Sequence, residues 1–527
     1  MTDGTILSNT HDKVHWWQER SVWVMLFLGF SAGIPILLIF GTLSLWLREA
    51  GVSRSTATFF SWAILGYSFK FVWAPLVDRL PIPLLTKMLG RRRSWILVSQ
   101  LAVIGSIVLM ASTDPKTSLT AMAIAAVCLG FSSATQDVVI DAFRIESAEP
   151  RLQAMLASTY VAGYRIGMIV AGAMALFLAE TFGSTKEVYS YEAWQKTYYV
   201  MAAVMLIGVA TTLLVREPIH ADDQSTYSTS DYLAFLGVFT VSVLGFIGTL
   251  WIMPETPILF EDGLQTVFKF IYGSISLLLA LMVAYFVAIA CQYKGLVNPR
   301  MVEEGYKEPI QDFFKRYGKL AIWVLLLVGF YRVSDIVLGV ITNVFYQDMG
   351  YTKTEIASLS KVFGVIMTIS GSFIGGFVAL RIGVMKALQY AAILVVITNL
   401  LFCWLTQVGT QHTDIEFALP LIGKLAFPGE LALVITIDNL VQGLSLAAFV
   451  AWLASLTNVS FTATQYAIFS SIMTLLPKVI GGFSGTYVDS FGYTNFFLFS
   501  SAIGIPVIVL IHFLRGKLEF EAPQQTN

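Results

Sequence analysis

The sequence predicts an all-α integral membrane protein made of two six-helix halves with an additional pair of helices between them. Of its 527 residues, 56% are hydrophobic and only 13% are charged, whereas an average soluble domain has about 25% charged residues. Fourteen apolar runs, each of about 20 residues, follow one another along the chain, and this is the length that a helix needs to cross a bilayer. A short internal repeat divides these runs into two similar sets of six.

The remaining composition excludes several classes of function. The net charge of −1 gives no sign of nucleic-acid binding. Cys128, Cys291 and Cys403 lie in apolar runs, where a thiol acts as a small hydrophobic group. The first apolar run is too long for a signal peptide, so we expect an uncleaved first span. We expect no catalytic residues, no cofactor, no metal site and a monomeric protein.

The spans are bounded by charged residues and by proline or glycine. The N-terminal half, residues 1–215, has predicted spans at about 22–47, 56–77, 94–113, 118–143, 152–179 and 194–215. The linker, residues 216–318, has two more at about 232–253 and 266–291. The C-terminal half, residues 319–515, has predicted spans at about 319–345, 354–380, 385–407, 430–456, 463–487 and 493–514.

Basic residues predict the orientation of the spans. Lysine and arginine are concentrated in alternate loops, most densely in 79–93 and 294–319. Cytoplasmic loops of membrane proteins carry an excess of these residues. The sequence therefore predicts that both termini, including a tail at 516–527, lie in the cytoplasm.

The repeat predicts where a substrate would bind. Residues 23–30 read WVMLFLGF, and residues 323–330 read WVLLLVGF. Gln153 with Tyr164-Arg165 is echoed by Gln465 with Pro477-Lys478. Transporters built from two such repeats bind substrate between the halves, near the middle of the membrane.

Acidic side chains lie in the apolar run that ends near residue 146. Asp137, Asp141 and Arg144 are spaced to lie on one face of a helix. Each charge costs about 2.5–3.5 kcal/mol at the centre of a bilayer, so this face should line a protein interior or a wet cavity. Asp438 occupies the matching span of the second half. Because proton coupling needs a carboxyl group whose surroundings change with the cavity, we assign it to Asp137, Asp141 and Asp438, with Asp137 as the titrating group.

Five cationic residues fall within predicted spans: Lys70, Arg165, Arg332, Lys361 and Lys478. The repeat places Arg165 and Lys478 at matching heights in opposite halves, where they would bind substrate carboxylates. The alternative for both is a salt bridge to an interior aspartate. Arg332 and Asp335 can pair with each other, and Lys70 can extend toward water. Further predicted substrate contacts, chosen mainly because they neighbour charged positions, are Gln136, Tyr164, Asn439 and Lys361.

The loop after the second predicted span carries Asp78-Arg79 and, after ten further residues, Gly90-Arg91-Arg92-Arg93. It resembles the G-x-x-x-D-R-x-G-R-R signature of the major facilitator superfamily, although Ala74 replaces the first glycine. The resemblance implies that the loop residues fasten helix ends in one conformer: Asp78, Arg79, Gly90, Arg91 and Arg92. The alternative is an ordinary basic loop.

Five segments resemble the AmpG muropeptide permeases of that superfamily: GFSAGIP at 29–35, YSFKFVWAPLVDR at 67–79, GRRRSWILVSQ at 90–100, SATQDVVIDAFR at 133–144 and VAGYRIGMIVAG at 161–172. The resemblance implies the major facilitator fold in a bacterial inner membrane. It also implies import of anhydro-muropeptides (GlcNAc-anhydroMurNAc-peptides), which are anionic glycopeptides, from periplasm to cytoplasm by proton symport and alternating access.

Two alternatives remain at this point. The family includes acetyl-coenzyme A transporters, so the cargo could be another bulky anion. Paired aspartates could also do acid/base work in a membrane-embedded enzyme. No nucleophile motif or phosphate-binding loop accompanies them, however, and the two-half repeat favours a carrier.

Overall fold

The computed structural model describes the greater part of the chain, and this part is helical apart from loops and one β-hairpin. The predicted all-α class is therefore confirmed, and the hairpin is a local addition between two helices. The described residues are 18–52, 60, 65–149, 152–184, 188–218, 227–254, 256–257, 262–351, 353–356, 359–360, 363–408, 414–419, 423–481 and 484–518.

The N-terminal half contains helices α1 to α11 in its described part. They are α1 Arg20–Leu37, α2 Leu43–Glu49, α3 Leu65–Phe69, α4 Ala74–Arg79, α5 Leu85–Leu89, α6 Arg91–Ala111, α7 Leu119–Glu146, α8 Gln153–Ile169, α9 Ala175–Thr181, α10 Tyr191–Val204 and α11 Leu206–Leu214. A π-helical turn, Leu38–Thr42, joins α1 to α2, and another, Val170–Met174, joins α8 to α9. Each of these pairs therefore forms one longer helix.

The linker and the C-terminal half contain helices α12 to α23 and the hairpin. They are α12 Thr229–Ile252, α13 Asp262–Tyr293, α14 Pro299–Val302, α15 Glu308–Tyr317, α16 Ala321–Phe330, α17 Val333–Asp348, α18 Lys353–Ile356, α19 Gly364–Ile382, α20 Val384–Val408, β1 Asp414–Leu419, β2 Gly423–Pro428, α21 Gly429–Leu456, α22 Thr462–Gly481 and α23 Ser484–Leu518. The two strands are antiparallel, with Asp414 opposite Pro428.

Twelve helices of the described residues are long and apolar enough to cross a membrane. The predicted count of fourteen is not confirmed, and two predicted spans account for the difference. The span at 56–77 falls partly on residues outside the described ranges, which leaves α3 and α4 as its described helices. The span at 463–487 corresponds to α22, which has 20 residues but is not among the twelve.

Glycines allow the closest helix contacts within each half. A Cβ atom added at Gly163 would lie 1.9 Å from the carbonyl oxygen of Leu26, so α1 and α8 meet backbone to backbone. In the second half, a Cβ atom at Gly443 would lie 2.0 Å from the carbonyl oxygen of Thr368, which brings α19 against α21 in the same way. Bulky apolar side chains fill the spaces around these contacts.

The inserted helices α12 and α13 pack against each other and leave most of their surface exposed. Phe235 of α12 is buried in a small apolar cluster with Trp73, Leu76 and Met301. The pair is thus attached near α4 and the linker. It therefore lies at the periphery of the described helices.

The two halves meet through α7 and α8 of the first half. Helix α8 packs on α19 and α21, and α7 packs on α22. Ser158 of α8 donates a hydrogen bond of 2.7 Å to the carbonyl oxygen of Ser372 in α19. Helix α22 also packs on α3 and α4. The charged faces predicted on α7 and α8 therefore belong to helices of the interface between the halves.

Candidate functional site

The acidic face of α7 forms a buried cluster of charges with Lys70. Asp141 lies 3.2 Å from the guanidinium of Arg144 and 3.6 Å from the ammonium of Lys70. All three side chains are buried, as is Asp137 one turn earlier on the helix. We call these four residues the N-terminal charge cluster. Since buried charges require partners, Lys70 and Arg144 stabilise Asp141 within the protein interior.

This cluster faces the second half of the protein. The Arg144 guanidinium lies 5.2 Å from the ring centre of Tyr466 in α22, a cation–π contact across the interface. Asp137 accepts a hydrogen bond of 3.4 Å from the hydroxyl of Tyr160 in α8. The ring of Tyr164 lies 6.1 Å from that of Tyr160. The three predicted residues Asp137, Asp141 and Tyr164 therefore lie in one neighbourhood.

A second group of charges lies in the C-terminal half. The Nε atom of Arg332 lies 3.1 Å from a carboxylate oxygen of Asp335, so the predicted pair forms. Asp335 interacts electrostatically with Asp438 of α21, whose carboxylate accepts a hydrogen bond of 2.8 Å from Gln442. We call Arg332, Asp335 and Asp438 the C-terminal charge cluster. Two of its three members are acids and one is a cation.

Arg165 lies on the side of α8 that faces the second half. It comes seven positions, about two helical turns, after the interface residue Ser158. Arg165 is half-buried and interacts electrostatically with Arg332, so the two cations repel each other. Within the described part of the chain its recorded polar contact is a weak one of 3.9 Å to the sulfur of Met168. Arg165 therefore adds an available positive charge beside the C-terminal charge cluster.

The other predicted substrate residues have different surroundings. Gln136 is fully buried, and its amide donates a hydrogen bond of 2.9 Å to Ser31 of α1. Asn439 lies between α19 and α21, where its side-chain oxygen accepts a hydrogen bond of 3.0 Å from Thr368. Lys361 and the side chain of Lys478 lie outside the described residues. The role of each of these four residues stays a prediction.

Asp78 joins the two halves at one end of the bundle. Its carboxylate accepts hydrogen bonds from the backbone N–H groups of Ala463 and Thr464, at 3.1 and 2.8 Å, and from the Thr464 hydroxyl at 2.7 Å. These groups belong to the first turn of α22, where unpaired N–H groups and the helix dipole favour an anion. Asp78 thus caps a helix of the opposite half.

Arg92 holds this acid in place from α6. It donates a hydrogen bond of 2.8 Å to Asp78 and binds both oxygens of Glu146, at 2.6 and 2.9 Å. Backbone N–H groups of Arg92 and Arg93 in turn donate to the carboxylate of Glu217 at 2.7 and 3.0 Å. We call Asp78, Arg92 and Glu146 the end lock.

Two further residues of the loop motif have clear surroundings. Gly90 has a φ of +90°, and a Cβ atom there would lie 2.4 Å from Glu217, so both conformation and space require glycine. Arg79 lies 3.4 Å from Glu304 of the linker and 5.6 Å from the ring centre of Phe461, close to the start of α22. The loop therefore connects both halves and the linker.

Sequence reasoning missed several members of these groups. Glu146 and Glu217 stand at the end of predicted spans, where acids are common, and nothing in the sequence indicated that one arginine would bind Glu146 and Asp78 together. Tyr466 could have been found from its place one position after Gln465 in the repeat. The pairing of Lys70 with Asp141 joins residues from different helices, which spacing along one helix does not predict.

Comparison with known proteins identifies the family to which this chain belongs. Residues 24–423 match the family model described as Major Facilitator Superfamily. The chain belongs to this superfamily. Solved superfamily members have the same fold: the proton:xylose symporter XylE, with a TM-score of 0.57 and 12% identity over 94% of each chain, and FucP in its outward conformation, with a TM-score of 0.56 and 10% identity over 93% of this chain and 98% of that one.

Relatives that align along most of the chain show which members of the Major Facilitator Superfamily this protein resembles. The chain is 30% identical to the protein named AmpG 4 of Rickettsia conorii over 95% of this chain and 98% of the relative. It is 28% identical to the anhydromuropeptide permease of Escherichia coli over 95% of this chain and 81% of the relative. The chain is an AmpG-like superfamily member, and it is a membrane transporter rather than an enzyme. The predictions of family and fold are thus confirmed.

In a Major Facilitator Superfamily protein, these arrangements can perform two tasks. The end lock closes one end of the interface between the halves. The charge clusters place acids and cations at that interface, where a carrier of two repeats binds its substrate. An anionic group entering beside Arg165 and Arg332 would find two guanidinium groups suited to a carboxylate.

Proposed function

We propose that the protein imports anhydro-muropeptides from the periplasm into the cytoplasm across a bacterial inner membrane, by proton symport and alternating access. The observation that carries the proposal is the interface itself, with Arg165 beside the C-terminal charge cluster and Asp137 in the N-terminal one. Similarity to the anhydromuropeptide permease of Escherichia coli along 95% of the chain supports the choice of cargo.

The end lock and the basic loops support the proposed direction of transport. Residues 79–93, which contain Arg92 of the end lock, form one of the richest basic segments of the sequence. Such segments favour the cytoplasmic side. With both termini on that side, the closed end of the interface faces the cytoplasm. Substrate then enters from the periplasm, and breaking the end lock releases it inward.

Substrate recognition in this proposal depends on carboxylates. A muropeptide carries carboxylates on its peptide, and Arg165 can bind one of them through two parallel hydrogen bonds. Lys478 and Lys361 supply further positive charge, and Tyr164 offers an aromatic face. Gln136 and Asn439 contribute amide groups near the charged positions.

Proton coupling in this proposal uses the interior acids. Asp137, Asp141 and Asp438 are buried, so a change in access to water alters the balance between their charged and neutral forms. Asp137 is the first candidate because its recorded hydrogen bond comes from a neutral hydroxyl, that of Tyr160. Asp141, by contrast, is paired with two cations.

Uptake by membrane vesicles tests the choice of substrate. Vesicles containing the protein should accumulate labelled GlcNAc-anhydroMurNAc-peptide, and unlabelled muropeptide should compete. Acetyl-coenzyme A is the matched competitor, because it is a bulky anion of a different kind. Absence of uptake by correctly inserted protein, or competition by acetyl-coenzyme A alone, would contradict the proposed cargo.

A further inference from the structure

We propose that a substrate carboxylate takes Arg332 away from Asp335, and that the acid pair Asp335 and Asp438 then binds a transported proton, in addition to the coupling role proposed for Asp137. This inference rests on the proposed function and assigns proton uptake on ligand binding to the C-terminal charge cluster. It gives Arg332 and Asp335 a role in transport, whereas their spacing alone indicates only a structural ion pair.

The Arg332–Asp335 pair has one accessible and one buried member. The Arg332 side chain is 15% exposed, whereas that of Asp335 is 3% exposed, at a separation of 3.1 Å. Arg332 is therefore the more accessible member of the pair. Its Nε atom makes the closest contact with Asp335, and a guanidinium has two further nitrogens that can donate hydrogen bonds. A second carboxylate can therefore begin to bind before the first is released.

Arg165 supplies the second cation for the incoming carboxylate. It approaches Arg332 from the opposite half, and the two guanidinium groups repel each other. Among the described residues no carboxylate lies within ion-pair distance of Arg165. An anion placed between the two cations removes this repulsion and forms hydrogen bonds with both. The two arginines together therefore bind a carboxylate more strongly than either arginine would alone.

Movement of the Arg332 side chain to the ligand changes the surroundings of Asp335. Asp438 interacts electrostatically with it; this acid is also buried and accepts a hydrogen bond from the neutral amide of Gln442. Among the described residues, the other ionisable groups that interact with these acids are the hydroxyls of Tyr331 and Tyr346, which are neutral. Two buried carboxylates without a cation cannot both stay ionised. One proton from the open side of the protein then binds to this pair.

The charges balance in this exchange. The ligand brings one negative charge to the arginines, and one proton neutralises one of the two acids. No covalent bond forms or breaks apart from the bond to the proton. On release of the carboxylate, Arg332 returns to Asp335 and the proton leaves on the same side. Substrate and proton thus move together.

The N-terminal charge cluster is unsuited to the same exchange. Arg144 is fully buried, stacks on Tyr466 across the closed interface and binds Asp141. Lys70 is also buried and also binds Asp141. Both cations therefore share one acid, and their side chains are less exposed than that of Arg332, at 8% for Lys70 and 0% for Arg144 against 15%. We assign substrate exchange to the C-terminal charge cluster for this reason.

The test measures how many protons the purified full-length protein takes up when it binds ligand. The protein is kept in weakly buffered detergent solution near neutral pH. A pH indicator dye reports proton uptake while GlcNAc-anhydroMurNAc-peptide is titrated in, and calorimetry gives the amount bound. Wild-type protein should take up about one proton per carboxylate held between the arginines. Asp335→Asn should keep ligand binding and lose most of this uptake, because Arg332 is free beforehand. Arg332→Ala should weaken binding at least about tenfold.

Glu303→Gln is the matched control, because it removes the carboxylate of an exposed ion pair with Lys307 in the linker. It should leave both binding and proton uptake unchanged. Binding by wild-type protein without proton uptake would overturn the exchange and leave the proposed function standing, and this measurement needs no variant to fold. Full proton uptake by Asp335→Asn would also overturn it. No muropeptide binding by wild-type protein would contradict the proposed function and, with it, this inference.

Discussion

At the scale of single residues, buried charges are arranged in groups, and Arg165 differs from the other cations described in them. Lys70 and Arg144 neutralise Asp141, Arg92 joins Asp78 to Glu146, and Arg165 stays without a described carboxylate. An uncompensated cation within a membrane protein is energetically unfavourable, so it indicates a site for an anion. Arg165 is therefore the residue that most directly connects the structure with an anionic substrate.

Replacing Arg165 tests this connection. Arg165→Ala should lower muropeptide uptake at least about tenfold, since removal of one partner of a charge-assisted contact costs about 2–5 kcal/mol. Arg165→Lys should recover part of the activity, because it restores the charge without the two parallel hydrogen bonds. Arg48→Ala is the control, since Arg48 is exposed and donates to the carbonyl oxygen of Val52 at a distance from the interface. Uptake by Arg165→Ala at the wild-type rate would exclude Arg165 from the site.

Asp137 allows a second prediction at this scale. Asp137→Asn keeps an acceptor for the Tyr160 hydroxyl and removes the charge. We expect it to abolish proton-driven accumulation or to uncouple it from the proton gradient. The measurement is muropeptide accumulation with and without an imposed gradient. Asp114→Asn, which neutralises an acid bound to the hydroxyl of Tyr189, is the control. Normal proton-coupled uptake by Asp137→Asn would remove Asp137 from the coupling step.

Residue positions were predictable from the sequence to the extent that helical spacing determines them. The spacing of Asp137, Asp141 and Arg144 placed them on one face, and the cost of burying charge placed that face in the protein interior. Partners from other helices, such as Lys70 for Asp141, depend on how helices cross. Spacing within one helix contains no information about that crossing.

At the scale of elements, glycines determine how closely α1 and α8 approach. Gly163→Ala should lower the thermal stability of the purified protein, because the added methyl group would meet the carbonyl oxygen of Leu26 at 1.9 Å and such overpacking costs about 1–3 kcal/mol. Gly105→Ala is the matched control, since a Cβ atom at Gly105 in α6 has nothing within 4 Å. It should leave stability unchanged or raise it by up to about 1 kcal/mol. Equal effects of the two substitutions would contradict the close approach.

The cap on α22 is a contact between elements of opposite halves. Asp78→Ala removes an anion that accepts hydrogen bonds from Ala463 and Thr464, and each such charge-assisted bond contributes about 1.5–3 kcal/mol. We expect the population open at this end to rise at least about tenfold. Spin labels at positions 87 and 386, in protein with its three cysteines replaced, would report this as longer distances. Asp231→Ala, which removes a capping contact with Ser228 at the start of the inserted helix α12, should not change them, and unchanged distances in Asp78→Ala would contradict the end lock.

Elements were predicted most accurately where an apolar run is long and clearly bounded. The run predicted at 430–456 is helix α21, Gly429–Leu456, and the run at 385–407 is helix α20, Val384–Val408. The count of fourteen spans is not confirmed, in part because α22 carries polar residues such as Thr464, which binds Asp78 of α4. Polar residues on a helix lower its mean hydropathy even when neighbouring helices bury their side chains.

At the scale of the whole molecule, the predicted superfamily and its fold are confirmed. The repeat predicted two halves with a site between them, and this site and the boundaries at 215 and 319 stay predictions. The sequence could not indicate which end of the interface is closed, because both ends of such a carrier must close in turn. The contacts of Asp78 supply this information, since they exist only while the halves touch at that end.

The most direct test of the account is uptake of labelled GlcNAc-anhydroMurNAc-peptide by purified protein in liposomes of known orientation. With an inward proton gradient across periplasmic-side-out liposomes, the labelled peptide should accumulate above its external concentration. Collapse of the gradient should return the label to equilibrium, and Glu303→Gln should behave as the wild type. Accumulation that is independent of the gradient would contradict proton symport, and absence of uptake in liposomes whose orientation has been verified would contradict the function as a whole.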